Sequence, residues 1–125
     1  MTPHGHFHWN ELMTKDIAAS KAFYGETLGW TYEEMPMEDG SVYAVAMVGE
    51  TPVAGLFDTS QMGDEVGPET WFAYVSVHDL DAALAAARAR GATVHREPFE
   101  VPQVGRIAIV GDPRGVVLGW MTPVA

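Results

Sequence analysis

The sequence predicts an α+β fold in which two βαβββ modules stand in tandem and form a curved mixed-sheet cleft. The first observation is a pattern that occurs twice. Trp9-Asn-Glu-Leu-Met-Thr-Lys runs into Asp16, and 63 residues later Trp71-Phe-Ala-Tyr-Val-Ser-Val-His runs into Asp79. A repeat of that length is a whole supersecondary unit. The second observation is that one helical segment follows each aspartate, and three strand-like segments follow each helix. The third is the balance of 47% apolar to 19% charged residues over 125 positions, which suits one globular domain with its own core.

In the first module, residues 5–58, a strand is expected over Phe7–Met13. Asp16 can accept the unpaired N–H groups of a helix over Ile17–Leu28, and Gly29 supplies a left-handed stop. Ile17, Phe23, Tyr24 and Leu28 recur at helical spacing and predict its buried stripe. Strands follow at Trp30–Met35, Ser41–Val48 and Thr51–Asp58, with turns at Glu38-Asp39-Gly40 and Gly49-Glu50.

Thr59–Glu69 is polar and acidic and reads as the linker. The second module, residues 70–123, restarts with Trp71–Val77. Asp79 caps a helix whose Leu80, Ala83, Leu84 and Ala87 form an i, i+3, i+4, i+7 face. Asp81 near its start and Arg88 and Arg90 near its end complement the helix dipole. Ala92–Glu97, Gly105–Val110 and Val116–Met121 are the last strands, and Asp112-Pro113-Arg114-Gly115 is a turn. With one helix for four strands, each sheet has one covered face and one face free to line a cleft between the modules, where small molecules usually bind. A ferredoxin-like βαββαβ dimer accounts poorly for three strands after each helix.

The net charge of −10, with seven scattered Lys and Arg, argues against nucleic acid and against an anionic membrane surface. Without cysteine there are no disulfides, no thiolate catalysis and no thiolate metal ligands. Neither a signal peptide nor a membrane span is legible, so a cytoplasmic protein is expected. No Ser-His-Asp arrangement, phosphate loop or dinucleotide fingerprint is present.

Phe7-His-Trp-Asn-Glu-Leu-Met-Thr, Phe23-Tyr24-Gly25 and Leu28-Gly29-Trp30 in the first module resemble the vicinal oxygen chelate superfamily. Trp71, Tyr74, Val77, Asp79-Leu-Asp81, Gly105-Arg106 and Asp112-Pro113-Arg114-Gly115 do the same in the second. That superfamily includes glyoxalases, bleomycin-resistance proteins and extradiol dioxygenases. The resemblance runs nearly end to end and implies a glyoxalase-like fold, but the fold hosts many reactions. By analogy it also implies a homodimer.

In metal-dependent members, the resemblance puts ligands on the first and last strand of each module. Carried onto this chain, those positions are Trp9, Gly55, Phe72 and Gly119. None offers a lone pair to a divalent ion, which needs three or four N or O donors. The expectation is therefore no metal and no other cofactor. His4, His6 and His8 alternate and could share one face of an extended segment, and a bulge could turn His8 inward. Solvated histidines fit that position better. His78 precedes a helix cap, and His95 lies in a strand with no neighbouring ligand.

Strand alternation puts Trp9, Glu11 and Met13 on one face, and Phe72, Tyr74 and Ser76 on the equivalent one. With Gly55 and Gly119 opposite, these aromatics would wall a flat apolar slot for a planar compound, or would simply fill it as core. Glu11 facing an apolar cavity should have a raised pKa, suiting a general base or a partner for a cation. It could equally pair with an arginine such as Arg106 or reach solvent. Two functions are carried forward. One is a module that binds a small hydrophobic or aromatic molecule without chemistry. The other is a glyoxalase-like lyase or isomerase, or a dioxygenase-type enzyme, using Glu11 as base or a non-standard metal set.

Overall fold

A computed structural model describes residues 3–36, 42–60, 68–101 and 104–124. The turn expected at Glu38-Asp39-Gly40 and the middle of the linker lie outside them. The element order is β1 (Phe7–Thr14), α1 (Ile17–Leu28), β2 (Thr31–Pro36), β3 (Val42–Val48) and β4 (Thr51–Asp58), then β5 (Thr70–Ser76), α2 (Leu80–Ala89), β6 (Thr93–Val101), β7 (Gly105–Gly111) and β8 (Val117–Pro123). This is βαβββ twice, with every expected element present. Boundaries move by a few residues at most, chiefly because β6 continues to Val101.

Two compact units emerge. One is Trp9–Phe72; the other joins the residues up to His8 with those from Ala73 onward. In the first, the strand order is β2-β3-β4-β1, and in the second β5-β8-β7-β6. Each opening strand pairs in parallel with the last strand of its own module, Glu11 opposite Gly55 and Tyr74 opposite Gly119. Parallel pairing needs a long crossover, which the helix and two intervening strands supply.

Both helices start as their sequences dictate. Asp16 accepts from Ala19 N at 3.0 Å and Asp79 from Ala82 N at 3.0 Å. Gly29, at φ 77°, closes α1 by donating its N–H to the Gly25 carbonyl.

The cores lie between each helix and one face of its strands. In the first unit Leu12, Ala44, Ala46, Ala54 and Leu56 are buried, with Ile17, Tyr24 and Tyr32 against them. In the second, Val77, Leu80, Leu84, Ala108 and Val110 are buried, with Ala83, Ala87 and Trp120 alongside. The stripe expected on α1 is corrected here: Ile17 and Tyr24 pack inward, but Phe23 and Leu28 are 59% and 58% exposed. Tyr24 instead anchors an aromatic cluster, stacking on Trp30 at 5.3 Å and accepting a hydrogen bond from Trp71 Nε1 at 3.1 Å.

The linker's described ends are tied to β1. Thr59 N donates to the Thr14 carbonyl at 2.8 Å, while Glu69 accepts from Lys15 N at 2.7 Å and Thr14 Oγ1 at 3.0 Å. In the other unit the N-terminal residues lie along β5, with Gly5 N on the Ser76 carbonyl at 2.7 Å and Ser76 N on the His6 carbonyl at 2.9 Å.

Candidate functional site

Register decides what the helix-free face of the first module carries. Across β2, β3, β4 and β1, one row reads Met35, Tyr43, Phe57, Met13, and the next reads Glu33, Val45, Gly55, Glu11. The core residues occupy the alternate positions, which face α1. The result is an apolar and aromatic row beside a row with a carboxylate at each end.

At the centre of this face is a relay of three side chains. Trp9 Nε1 donates to the Tyr43 hydroxyl at 2.9 Å, and that hydroxyl hydrogen-bonds the Glu11 carboxylate. Glu11 is 8% exposed, and a carboxylate so buried needs fixed hydrogen-bond donors, of which the Tyr43 hydroxyl is one. Burial pushes the Tyr43 phenol far above its ordinary value, and the Glu11 charge pushes it the same way against the opposing Trp9 bond. Tyr43 is thus a neutral donor throughout the physiological range. The Phe57 ring meets it edge-on at 6.4 Å.

Gly55 makes room for that phenol. A Cβ on Gly55 would fall 1.6 Å from the Tyr43 oxygen and 3.0 Å from Trp9 Nε1. The opening expected above Gly55 is therefore taken by Tyr43, a residue the sequence reading missed. The only signal available was a tyrosine in an alternating strand, and its partner depended on unknown register.

Arg106, considered as a partner for Glu11, meets Asp81 at 3.1 Å. In the second module Tyr74 and Ser76 are buried, Phe72 is half-buried, and Gly119 is buried opposite Tyr74. The place matching Tyr43 is Ile107, and Met121 stands where the first module has Phe57.

The residues at the four ligand positions do not fit a divalent metal. Trp9 and Phe72 offer no donor electron pair suited to one, and the space at Gly55 is filled by a phenol already bonded on both sides. Among the described residues, no three His, Asp or Glu side chains converge as a metal centre would require. His4 Nδ1 instead accepts from His78 N at 3.1 Å, and their rings meet edge-on at 5.4 Å. His6 and His8 are exposed, and His95 Nε2 lies 2.7 Å from where a Cβ on Gly111 would stand.

Two concavities lie elsewhere. One of about 420 Å³ is lined by Leu12, Thr14, Ser20, Phe23, Tyr24 and Trp71 on the α1 side of the first module. A smaller one of about 240 Å³ lies beneath the α2 C-terminus, against Ala87, Val110, Pro113 and Trp120. Glu69 on the rim of the first is exposed, whereas the helix-free face holds the buried Glu11 carboxylate beside the Tyr43 phenol. The candidate site is therefore the helix-free face.

Among the described residues no helix is long and apolar enough to cross a membrane. The family model of the Glyoxalase/Bleomycin resistance protein/Dioxygenase superfamily matches residues 5–119. "Putative glyoxylase CFP32" of Mycobacterium tuberculosis is 36% identical over 115 residues, covering 92% of this chain and 43% of that protein. The anthracycline biosynthesis protein DnrV of Streptomyces peucetius is 37% identical over 107 residues, covering 86% and 38%. The chain thus spans about two fifths of the length of the curated relatives it matches. Among solved structures, hypothetical protein BH1468 from Bacillus halodurans superposes with a TM-score of 0.74 at 14% identity, covering 97% of this chain and 96% of that one. A Streptomyces coelicolor methylmalonyl-CoA epimerase variant in complex with 2-nitronate-propionyl-CoA gives 0.72 at 21%, covering 98% and 100%. Those two likenesses concern the fold. With its two βαβββ modules and a family match across nearly its whole length, the chain belongs to the glyoxalase, bleomycin resistance protein and dioxygenase superfamily.

Proposed function

We propose that this protein binds a small hydrophobic or aromatic compound without the metal usual in its superfamily. The observation that carries the reading is the Trp9–Tyr43–Glu11 relay over Gly55. Its hydrogen bonds fix the indole and leave Trp9 half-buried, so a ligand meets a ring already held in one orientation. Met13 and Phe57 extend the apolar surface, and Met13 adapts to irregular shapes. Phe72, Tyr74 and Gly119 are the corresponding contact candidates of the second module.

Trp9→Ala tests this directly. Loss of an aromatic contact and its buried area should weaken a planar aromatic ligand by about tenfold or more. Elemental analysis of untagged protein should find no stoichiometric metal. If a broad aromatic screen leaves wild-type fluorescence and melting temperature unmoved while Trp9→Ala unfolds the chain, Trp9 is core and the reading falls.

A second reading is favoured by one observation, the buried carboxylate held by a neutral phenol. An enzyme of the lyase, isomerase or dioxygenase type would use Glu11 as its base, accepting a proton from the substrate while Tyr43 fixes the carboxylate. The names of the relatives, among them "Putative glyoxylase CFP32", support looking for turnover. Glu11→Gln keeps the shape and removes the base. It should abolish such turnover while leaving affinity for a neutral ligand within a few-fold.

A further inference from the structure

The larger hollow, on the α1 side, combines an aromatic wall with a fixed charge. Its volume of about 420 Å³ lies within the range of small-molecule sites, and all its lining residues belong to the first compact unit. Phe23 is 59% and Trp71 38% exposed. Tyr24 meets both edge-on, Phe23 at 5.0 Å and Trp71 at 5.7 Å. The Trp71 Nε1–H is committed to the Tyr24 hydroxyl, which ties the indole in place. Apolar residues scattered singly over a surface are ordinary, but rings gathered around a hollow form a patch that marks a contact.

Glu69 stands at the polar end. Lys15 N at 2.7 Å and Thr14 Oγ1 at 3.0 Å both donate to its Oε1, so the carboxylate is anchored while Oε2 takes neither bond. Those two bonds hold its carboxyl below the usual range, and it is ionised at neutral pH. The charges nearby decide which ligand suits it. Lys15 and Asp16 act on Glu69 in opposite directions. Strand alternation puts Lys15 on the face of Met13, away from Thr14, which lines the hollow. Lys21 pairs with Glu34, and Asp16 already caps the N-terminus of α1. Glu69 is thus the one charged side chain among the described lining residues. Aromatic faces and a carboxylate both attract a cation, and neither attracts an anion.

We propose that this hollow is a second binding site, which takes organic ammonium ions with an apolar or aromatic body. The ammonium meets Glu69, and the body lies against Phe23 and Trp71. Thr14 is a positioning residue: it is buried, bonds Ser20 Oγ at 2.9 Å and holds the carboxylate. The proposal stands apart from the reading of the helix-free face and does not depend on it.

The test is an NMR titration of isotope-labelled wild type at neutral pH with phenethylammonium, phenethyl alcohol and hydrocinnamate. These share one body and differ in the charge at its end. The indole N–H signals of Trp9 and Trp71, assigned with Trp9→Phe and Trp71→Phe, report the two faces separately. Phenethylammonium should move the Trp71 signal and bind at least about fivefold more tightly than the alcohol, with hydrocinnamate weakest. Glu69→Gln can go on accepting from Lys15 N and Thr14, and should bring ammonium and alcohol within about twofold. In the wild type the preference should shrink as salt rises from about 0.02 to 0.5 M. Equal binding of ammonium and alcohol would overturn the proposal. So would a preference that salt leaves untouched, or one that a folded Glu69→Gln protein retains. Shifts confined to the Trp9 signal would remove the second site and leave the helix-free face standing. A Trp71 signal that ammonium never moves sinks the inference whether or not the variant folds.

Discussion

The same backbone frame carries opposite chemistry in the two modules. Where the first has Glu11, Tyr43 and Gly55, the second has Tyr74, Ile107 and Gly119 in matching register. The second face is closed by apolar burial, with Ile107 at 6% and Met121 at 2% exposure. The first buries a carboxylate to a similar depth and has to give it a donor. That requirement explains three residues at once: Glu11 needs Tyr43, Tyr43 needs the space over Gly55, and its remaining lone pair takes the Trp9 N–H. Duplicated architecture thus fixes where a site can stand, while a handful of face residues decide whether one is built there.

The comparison breaks most visibly at Gly55. Gly55→Ala puts a methyl inside the Tyr43 phenol, and such overpacking costs about 1–3 kcal/mol, here at the upper end. Urea denaturation should show the loss, and Gly55→Ala combined with Tyr43→Ala should cost clearly less than the sum of the two single losses. Two additive losses would mean that the phenol is not what the glycine accommodates.

A smaller effect is expected from Tyr43→Phe. Removing the hydroxyl leaves a buried carboxylate short of a donor, at about 1.5 kcal/mol. Its pH signature is specific. The phenol is raised in the folded chain, so its contribution to stability is complete below the ordinary tyrosine range and is lost as pH rises through and above about 10. Melting temperature should fall on that alkaline limb in the wild type, and fall less steeply in Tyr43→Phe. Parallel alkaline limbs would remove Tyr43 from the account.

The smallest effect concerns the backbone N–H preceding each helix cap. In the first module Lys15 N donates to Glu69, and in the second the equivalent His78 N donates to His4 Nδ1. The Lys15 and Thr14 hydrogen bonds hold the Glu69 carboxyl below its usual range. Its contribution is therefore present above the ordinary carboxylate range and disappears as pH falls through the folded value. Glu69→Gln should slightly flatten the acid limb of a stability–pH curve relative to the wild type. Parallel acid limbs in the two proteins would count against a role for this bond.

Much of this was legible in order along the chain. Asp16 and Asp79 mark both helix starts, Gly29 marks a stop, and alternation marks the strands, because caps and periodicity are local. The α1 stripe was misread because period alone does not say how wide the buried face is. At the place of Leu84 in α2, α1 has Lys21, whose ammonium lies 5.5 Å from the centre of the Tyr32 ring and pairs with Glu34. Trp9 and Glu11 could be nominated from their strand. Tyr43 could not, since its meeting with them requires the β3–β4–β1 register and a bulge between Ala46 and Met47. Such pairings are properties of the assembled sheet.

One contact has a consequence in time rather than in energy. His6 receives the N–H and hydroxyl of Ser76, 70 residues further on. During synthesis at roughly 5–20 residues per second, the whole first module emerges from the ribosome before that partner does. The segment carrying His4 and His6 must wait, undocked, beside a module to which it does not belong. Its docking therefore waits for β5, and protection of the Ser76 amide from exchange should not appear before that strand has emerged.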